Sequence, residues 1–272
     1  MPERELKVHT LSAELADNEN HIRLALAEID QEVAQYTYPL FGVNTRDRPE
    51  LFASSILIEC DGTPVLITAE HAIINIVKSG SAVHIGAKHI TKMAPKFAFS
   101  SQSNCKPLDI AAMVFPIELM QSEAMKALPL DLTTFGRSFP SVHMRCIHGY
   151  PLTKNRTYDS VNEVNNIFNR FGFTYAGASL TAQRDYPRYN KVETKHVVLQ
   201  YQRKCKNETG EKARAPKPIG MSGGGLWIIP NLFNPRTLYL EGISIEWKKE
   251  KSLVFATRIE PTITFIRKNV LQ

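Results

Sequence analysis

Ser222 sits inside the run Ile219-Gly220-Met221-Ser222-Gly223-Gly224-Gly225-Leu226. Glycines on both sides of a serine permit a sharp turn with unusual backbone angles and let another molecule approach the main chain. Such a turn can present a hydroxyl as a nucleophile and leave backbone N–H groups free for the oxyanion of a tetrahedral intermediate. The same run also reads as a glycine-rich β-turn that leads into a buried strand, Leu226-Trp227-Ile228-Ile229. A serine needs a base before it can attack, so the next question is where the chain supplies one.

The spacing Gly220-x-Ser222-x-Gly224 also fits the nucleophile elbow of α/β-hydrolases, in which the acid and then the histidine follow the serine. The histidines here are His9, His21, His71, His84, His89, His143, His148 and His196, and all of them precede Ser222. The chain order histidine, aspartate, serine remains. In Leu66-Ile67-Thr68-Ala69-Glu70-His71-Ala72 an apolar strand ends in a short turn that would expose His71 at a rim. A histidine without such context is more often structural, and His84 and His89 lack it. With no matching carboxylate or cysteine cluster, neither a metal site nor a cofactor is expected. The carboxylate should open a buried strand. Leu108-Asp109-Ile110-Ala111-Ala112-Met113-Val114-Phe115 has that form, whereas Asp131, Asp159 and Asp185 lie in polar or turn-like surroundings. An aspartate among apolar residues needs a partner, because an unpaired buried charge is costly.

The elements that must hold these groups are mostly strands. Leu51–Cys60 and Thr63–Ala69 flank Asp61-Gly62, a hairpin-turn pair. Further strands are expected over 82–85, 110–115, 142–147, 197–202, 226–229, 238–245 and 253–258. Many short strands divided by turns indicate a barrel or sandwich rather than a βαβ fold. Two helices frame them. Ile22, Leu26, Ile29 and Val33 repeat at helical spacing over 17–34, and Pro261 opens a segment with Ile263, Ile266 and Val270 on one face.

Taken together, these residues resemble the trypsin-like peptidase family, in a stand-alone bacterial form. Thr68-Ala69-Glu70-His71 is similar to the family's Thr-Ala-Ala-His, Asp109-Ile110-Ala111 to its Asp-Ile-Ala, and Gly220-Met221-Ser222-Gly223-Gly224-Gly225 to its Gly-Asp-Ser-Gly-Gly-Pro. Glu241-Gly242-Ile243-Ser244-Ile245-Glu246-Trp247 resembles the strand along which peptide substrates lie, and Ala256-Thr257-Arg258-Ile259 with its following helix resembles the family's ending. The likeness covers about residues 36–272. It implies an all-β fold, a chymotrypsin-like double six-stranded β-barrel with an N-terminal and a C-terminal helix. Residues 1–35 would form a helical extension, with barrel one over about 36–125, barrel two over about 140–258 and the last helix over 260–271. It also implies a serine endopeptidase with His71, Asp109 and Ser222 as triad, Gly220 and Ser222 N–H groups as oxyanion hole, and Lys217, Ser244 and Ile245 against the substrate. The competing reading is a catalytically silent pseudo-peptidase that acts as a protein- or peptide-binding module.

Departures from the family sharpen this. Met221 stands where many secreted relatives carry the aspartate that binds a newly cut N-terminus, so no activation of that kind is expected. The disulfide cysteine beside the histidine is missing. Pro216-Lys217-Pro218 matches the floor of the specificity pocket and lacks the acid that selects Arg or Lys; Lys217 would suit an acidic or small side chain instead.

Composition agrees with an intracellular protein. The charged start Met1-Pro2-Glu3-Arg4-Glu5-Leu6-Lys7 is no signal peptide, and no apolar run reaches the ~20 residues of a membrane span. A cytoplasmic location is expected, with Cys60, Cys105, Cys146 and Cys205 as free thiols. The net charge of +6 gathers in Arg203-Lys204-Cys205-Lys206 and on to Lys217, read as a solvated loop. Without interleaved aromatic residues it argues against a nucleic-acid partner. The partners expected are a polypeptide substrate and, from what stand-alone family members do in stress or antiphage systems, a protein that restrains or triggers the enzyme.

Overall fold

A computed structural model describes residues 28–43, 48–103, 108–139, 144–155, 171–177, 186–207, 211–230 and 238–272. The first sheet holds β1 (Thr37–Val43), β2 (Pro49–Cys60), β3 (Thr63–Ala69), β4 (His84–Gly86), β5 (Ile90–Lys92), β6 (Ala98–Phe99), β7 (Ile110–Val114) and β8 (Leu128–Pro129). Its order is β5-β4-β1-β2-β3-β7-β6, antiparallel throughout except that β8 runs parallel to β2. The second sheet holds β9 (Met144–Gly149), β10 (Phe173–Gly177), β11 (His196–Gln200), β14 (Gly225–Ile229), β15 (Tyr239–Lys248) and β16 (Leu253–Arg258), in the antiparallel order β10-β9-β14-β15-β16-β11. Among the described residues neither pairing order returns to its first strand, so each sheet is an open path.

Local chemistry accounts for the elements. β3 reads Thr-Pro-Val-Leu-Ile-Thr-Ala, buried from its second residue onward, as a strand covered on both faces must be. Asp61 and Gly62 both take left-handed angles (φ 52° and 76°), and Cys60 then pairs with Thr63 across a two-residue turn. Helix α1 covers residues 28–34, with Ile29 and Val33 buried. The earlier part of the expected helix, with Ile22 and Leu26, lies outside the described residues. Helix α2 (Glu70–Lys78) follows β3 directly and buries Ala72, Ile73 and Ile76. After the short α3 (Ile117–Ser122), α4 (Ile259–Asn269) closes the chain with Ile259, Ile263, Phe265 and Ile266 in the core.

One apolar core runs through both sheets, from Ile56 and Ile67 to Trp227, Leu240 and Phe255. Polar links add to it: the Thr257 hydroxyl of β16 donates to the Leu108 carbonyl ahead of β7, and Arg267 of α4 makes two hydrogen bonds to Asp61, at 2.8 and 2.7 Å.

The basic stretch differs from the expected loop. β12 (Lys204–Lys206) and β13 (Lys212–Arg214) form a two-stranded ribbon in which Lys204 faces Arg214 and Lys206 faces Lys212. Period-two alternation puts these exposed cations on one face, while Cys205 packs toward Tyr175 and Tyr201. The strand expected at 142–147 is described only from Met144. Cys60 and Cys146 are buried free thiols and Cys205 is partly buried and free; Cys105 lies outside the described residues. Among the described residues no helix is long and apolar enough to cross a membrane.

Candidate active site

His71 is the second residue of α2, and its position is set from below by Asp109. The Asp109 carboxylate accepts twice from this one residue: from the backbone N–H at 3.0 Å and from ring Nδ1 at 2.7 Å. The Glu70 N–H donates to the Asp109 carbonyl at 3.0 Å. Asp109 itself takes φ 56°, a left-handed angle that residues other than glycine keep only when their neighbours hold them there. With Nδ1 committed to the carboxylate as donor, Nε2 is the acceptor face of the neutral ring. The hydrogen bond to Asp109 raises the His71 pKa above its ordinary 6.5, against the opposing effect of burial; the charges of Asp109 and Glu246 add to the rise and Lys191 opposes it.

The serine turn is built by close backbone contact. Gly220 and Gly223 have φ 92° and 88°. A Cβ on Gly223 would lie 2.0 Å from the Ser54 carbonyl oxygen and 2.2 Å from Thr68 Oγ1, so no other residue fits. Ser54 is the organiser. Its N–H donates to the Ser222 carbonyl at 2.9 Å, and its hydroxyl donates to the Gly220 carbonyl at 2.9 Å while accepting from the Tyr150 N–H at 2.8 Å. Thr68 donates to the Ser54 carbonyl at 2.7 Å. Since Thr68 lies on the strand that runs into His71, the serine turn of the second sheet is packed against the histidine-bearing end of the first.

On the other side Gly223 N–H donates to the Ser244 carbonyl at 2.7 Å and Ser244 N–H to the Gly224 carbonyl at 2.8 Å. Met221 is fully buried among Ile147, Leu199, Tyr201 and Leu226, so packing anchors the residue before the serine. The Ser222 side chain is partly exposed. Among the described residues the N–H groups of Gly220 and Ser222 donate to no protein acceptor, and the Ser222 hydroxyl makes no hydrogen bond to His71.

The other expected contacts divide. Lys217 is exposed between buried Pro216 and Pro218, the former fixed by a hydrogen bond from the Tyr201 hydroxyl to its carbonyl at 2.9 Å. Ser244 and Ile245 have buried side chains, 4% and 2% exposed, and the Ser244 N–H and carbonyl are both taken by the serine turn. Ile245 sits at a register shift between Ser244 and Glu246, so it has no direct partner on β16. Beyond it, Glu246 pairs with Lys191 at 3.2 Å and with Lys248. Among the described residues no group of three or more His, Cys, Asp or Glu side chains could hold a metal.

Sequence reasoning missed Ser54, Thr68 as a brace, and the role of Glu70. Glu70 alone left a trace, as a charged residue where the histidine motif has a small one.

No family model matches the chain, and no curated protein does. Two solved structures are similar at a distance. One, from work on the coupled folding and binding of the Sesbania mosaic virus VPg protein, is 15% identical, with a TM-score of 0.47 over 85% of this chain and 93% of that one. The other, a Glu endopeptidase in complex with MPD, is 11% identical, with a TM-score of 0.44 over 86% and 90%. Both likenesses are remote, and the chemistry has to be read from the geometry.

Proposed function

We propose that this chain is a serine endopeptidase that cleaves polypeptides through His71, Asp109 and Ser222, on a chymotrypsin-like double β-barrel spanning about residues 36–272, the first sheet having eight strands rather than six. The observation that carries the reading is the combination of a carboxylate-oriented imidazole with a glycine turn braced against the same strand end. Ser222 attacks the peptide carbonyl while His71 Nε2 takes its proton, and Asp109 stabilises the imidazolium. The Gly220 and Ser222 N–H groups bind the oxyanion; an oxyanion donor is typically worth about 10²–10³ in kcat. His71 then protonates the leaving amine and activates water. The substrate chain passes β15 at Ser244 and Ile245, with Lys217 toward an acidic or small side chain. A regulatory protein partner and a cytoplasmic stress or antiphage setting, implied by the family resemblance, belong to the same proposal.

The missing Ser222–His71 hydrogen bond favours a second reading, a pseudo-peptidase that binds peptides without cutting them. A fluorophosphonate probe separates the two. The peptidase reading expects one label, on Ser222, that disappears in Ser222→Ala and falls by orders of magnitude in His71→Ala. An intact, folded protein that takes no label, with peptide binding retained, supports the binding module instead.

A further inference from the structure

Glu70 is a carboxylate 3% exposed, and a buried charge is tolerated only where donors surround it. Here they do. One oxygen accepts from the Ser100 hydroxyl at 2.8 Å and from the Ser101 N–H at 2.9 Å, and the other accepts from the Ser101 hydroxyl. Ser100 does more than satisfy Glu70, because its hydroxyl oxygen accepts the Ile110 N–H at 2.9 Å. Ile110 is the residue after Asp109. Through its own N–H Glu70 also holds the Asp109 carbonyl.

The peptide groups that fix the Asp109 backbone are therefore captured in turn. The Leu108 carbonyl is held by Thr257 of the second sheet, the Asp109 carbonyl by the Glu70 amide, and the Ile110 amide by Glu70 through Ser100. That capture opposes the relaxation of Asp109 out of its left-handed conformation (φ 56°), and that conformation turns the carboxylate onto both the main chain and the ring of His71. A small residue at position 70 would keep the amide contact and lose the relay.

We propose that Glu70 is a positioning residue: by way of Ser100 it locks Asp109 in the conformation that orients His71. The inference rests on the peptidase reading for its effect on turnover, but not for its effect on the imidazole. Glu70→Gln removes the charge and keeps an acceptor for Ser100, so comparing it with Glu70→Ala separates lost geometry from lost charge.

The test uses full-length protein labelled with ¹⁵N-histidine, with the His71 ring titrated by NMR alongside peptide turnover. In Glu70→Ala the His71 titration is expected to move down toward that of Asp109→Asn, with kcat lower by roughly 10–100-fold and KM little changed, as misplacement of a catalytic group by about 1 Å would give. Glu70→Gln keeps an acceptor for Ser100 and is expected to recover most of both losses. Should Glu70→Ala fail to fold, Ser100→Ala removes the relay alone and is expected to move His71 in the same direction. A folded Glu70→Ala or Ser100→Ala protein with wild-type His71 titration overturns the proposal. If Ser222 takes no fluorophosphonate label yet His71 still moves with Glu70, the peptidase reading has failed and the positioning role stands.

Discussion

Replacing Gly223 with alanine tests the contact that joins the serine turn to the histidine strand. The new methyl would meet the Ser54 carbonyl oxygen at 2.0 Å and Thr68 Oγ1 at 2.2 Å, and neither is the end of a flexible side chain. Holding φ near 88° costs an L-residue about 1–2 kcal/mol. Pushing Thr68 from Ser54 breaks a buried hydrogen bond between two fully buried residues, for about 1–3 kcal/mol more. The sum is about 2–5 kcal/mol in urea denaturation, together with a displacement of Ser222 that should slow fluorophosphonate labelling roughly 100-fold. Gly62→Ala is the control: φ is 76° there, but nothing lies within 4 Å of the added Cβ. It should show the strain alone and label at the wild-type rate. If Gly223→Ala proves as stable as Gly62→Ala and labels normally, the brace between the two sheets does not exist.

Because the folded His71 pKa is raised, the neutral base forms late: kcat/KM should climb with pH through a midpoint above 6.5, and Asp109→Asn should lower both that midpoint and turnover, the latter by about 10³–10⁴. The stabilisation linked to His71 should be complete below its unfolded pKa near 6.5 and fade as pH rises through the folded value, which urea midpoints at pH 5 to 9 would reveal. Glu241, 6% exposed, accepts from Arg145 at 2.5 and 2.9 Å and from Arg258 at 3.1 Å; Glu241→Ala removes these bonds and should cost about 1–3 kcal/mol by chemical denaturation. Burial pushes the Cys146 thiol up to about 12, so at pH 8 it should resist a thiol reagent that modifies Cys205, and react only when the chain unfolds.

What the sequence made legible is what depends on short range. The Asp61-Gly62 turn, the apolar runs of β3 and β7 and the glycines of the serine turn each announce themselves within a few residues. The order histidine, aspartate, serine follows from the absence of any histidine beyond Ser222. The braces were hidden for the opposite reason. Ser54 acts on residues far along the chain, and one of two adjacent serines in an apolar strand carries no signal of a partner elsewhere. Glu70 finds its donors in a turn about thirty residues on, so only its misfit with the motif was visible. In the basic stretch the solvated cations are plain from charge, while the ribbon shows only in the alternation: Lys204, Lys206, Lys212 and Arg214 line one face, with Cys205 and Ala213 between them. β15 runs on through Glu246 to Lys248, past a register shift at Ile245 that no local pattern announces.

The Ser54 brace has a consequence for how the protein comes into being. The strand carrying Ser54 is synthesised early, and the turn it grips is made late, just ahead of the strand that supplies Ser244. The Leu108 carbonyl next to Asp109 waits for Thr257, which is made later still. A growing chain that has folded only its first sheet therefore has His71 and Asp109 but not yet the serine turn that Ser54 grips. On the peptidase reading, the parts of the site would come together only when those last strands dock.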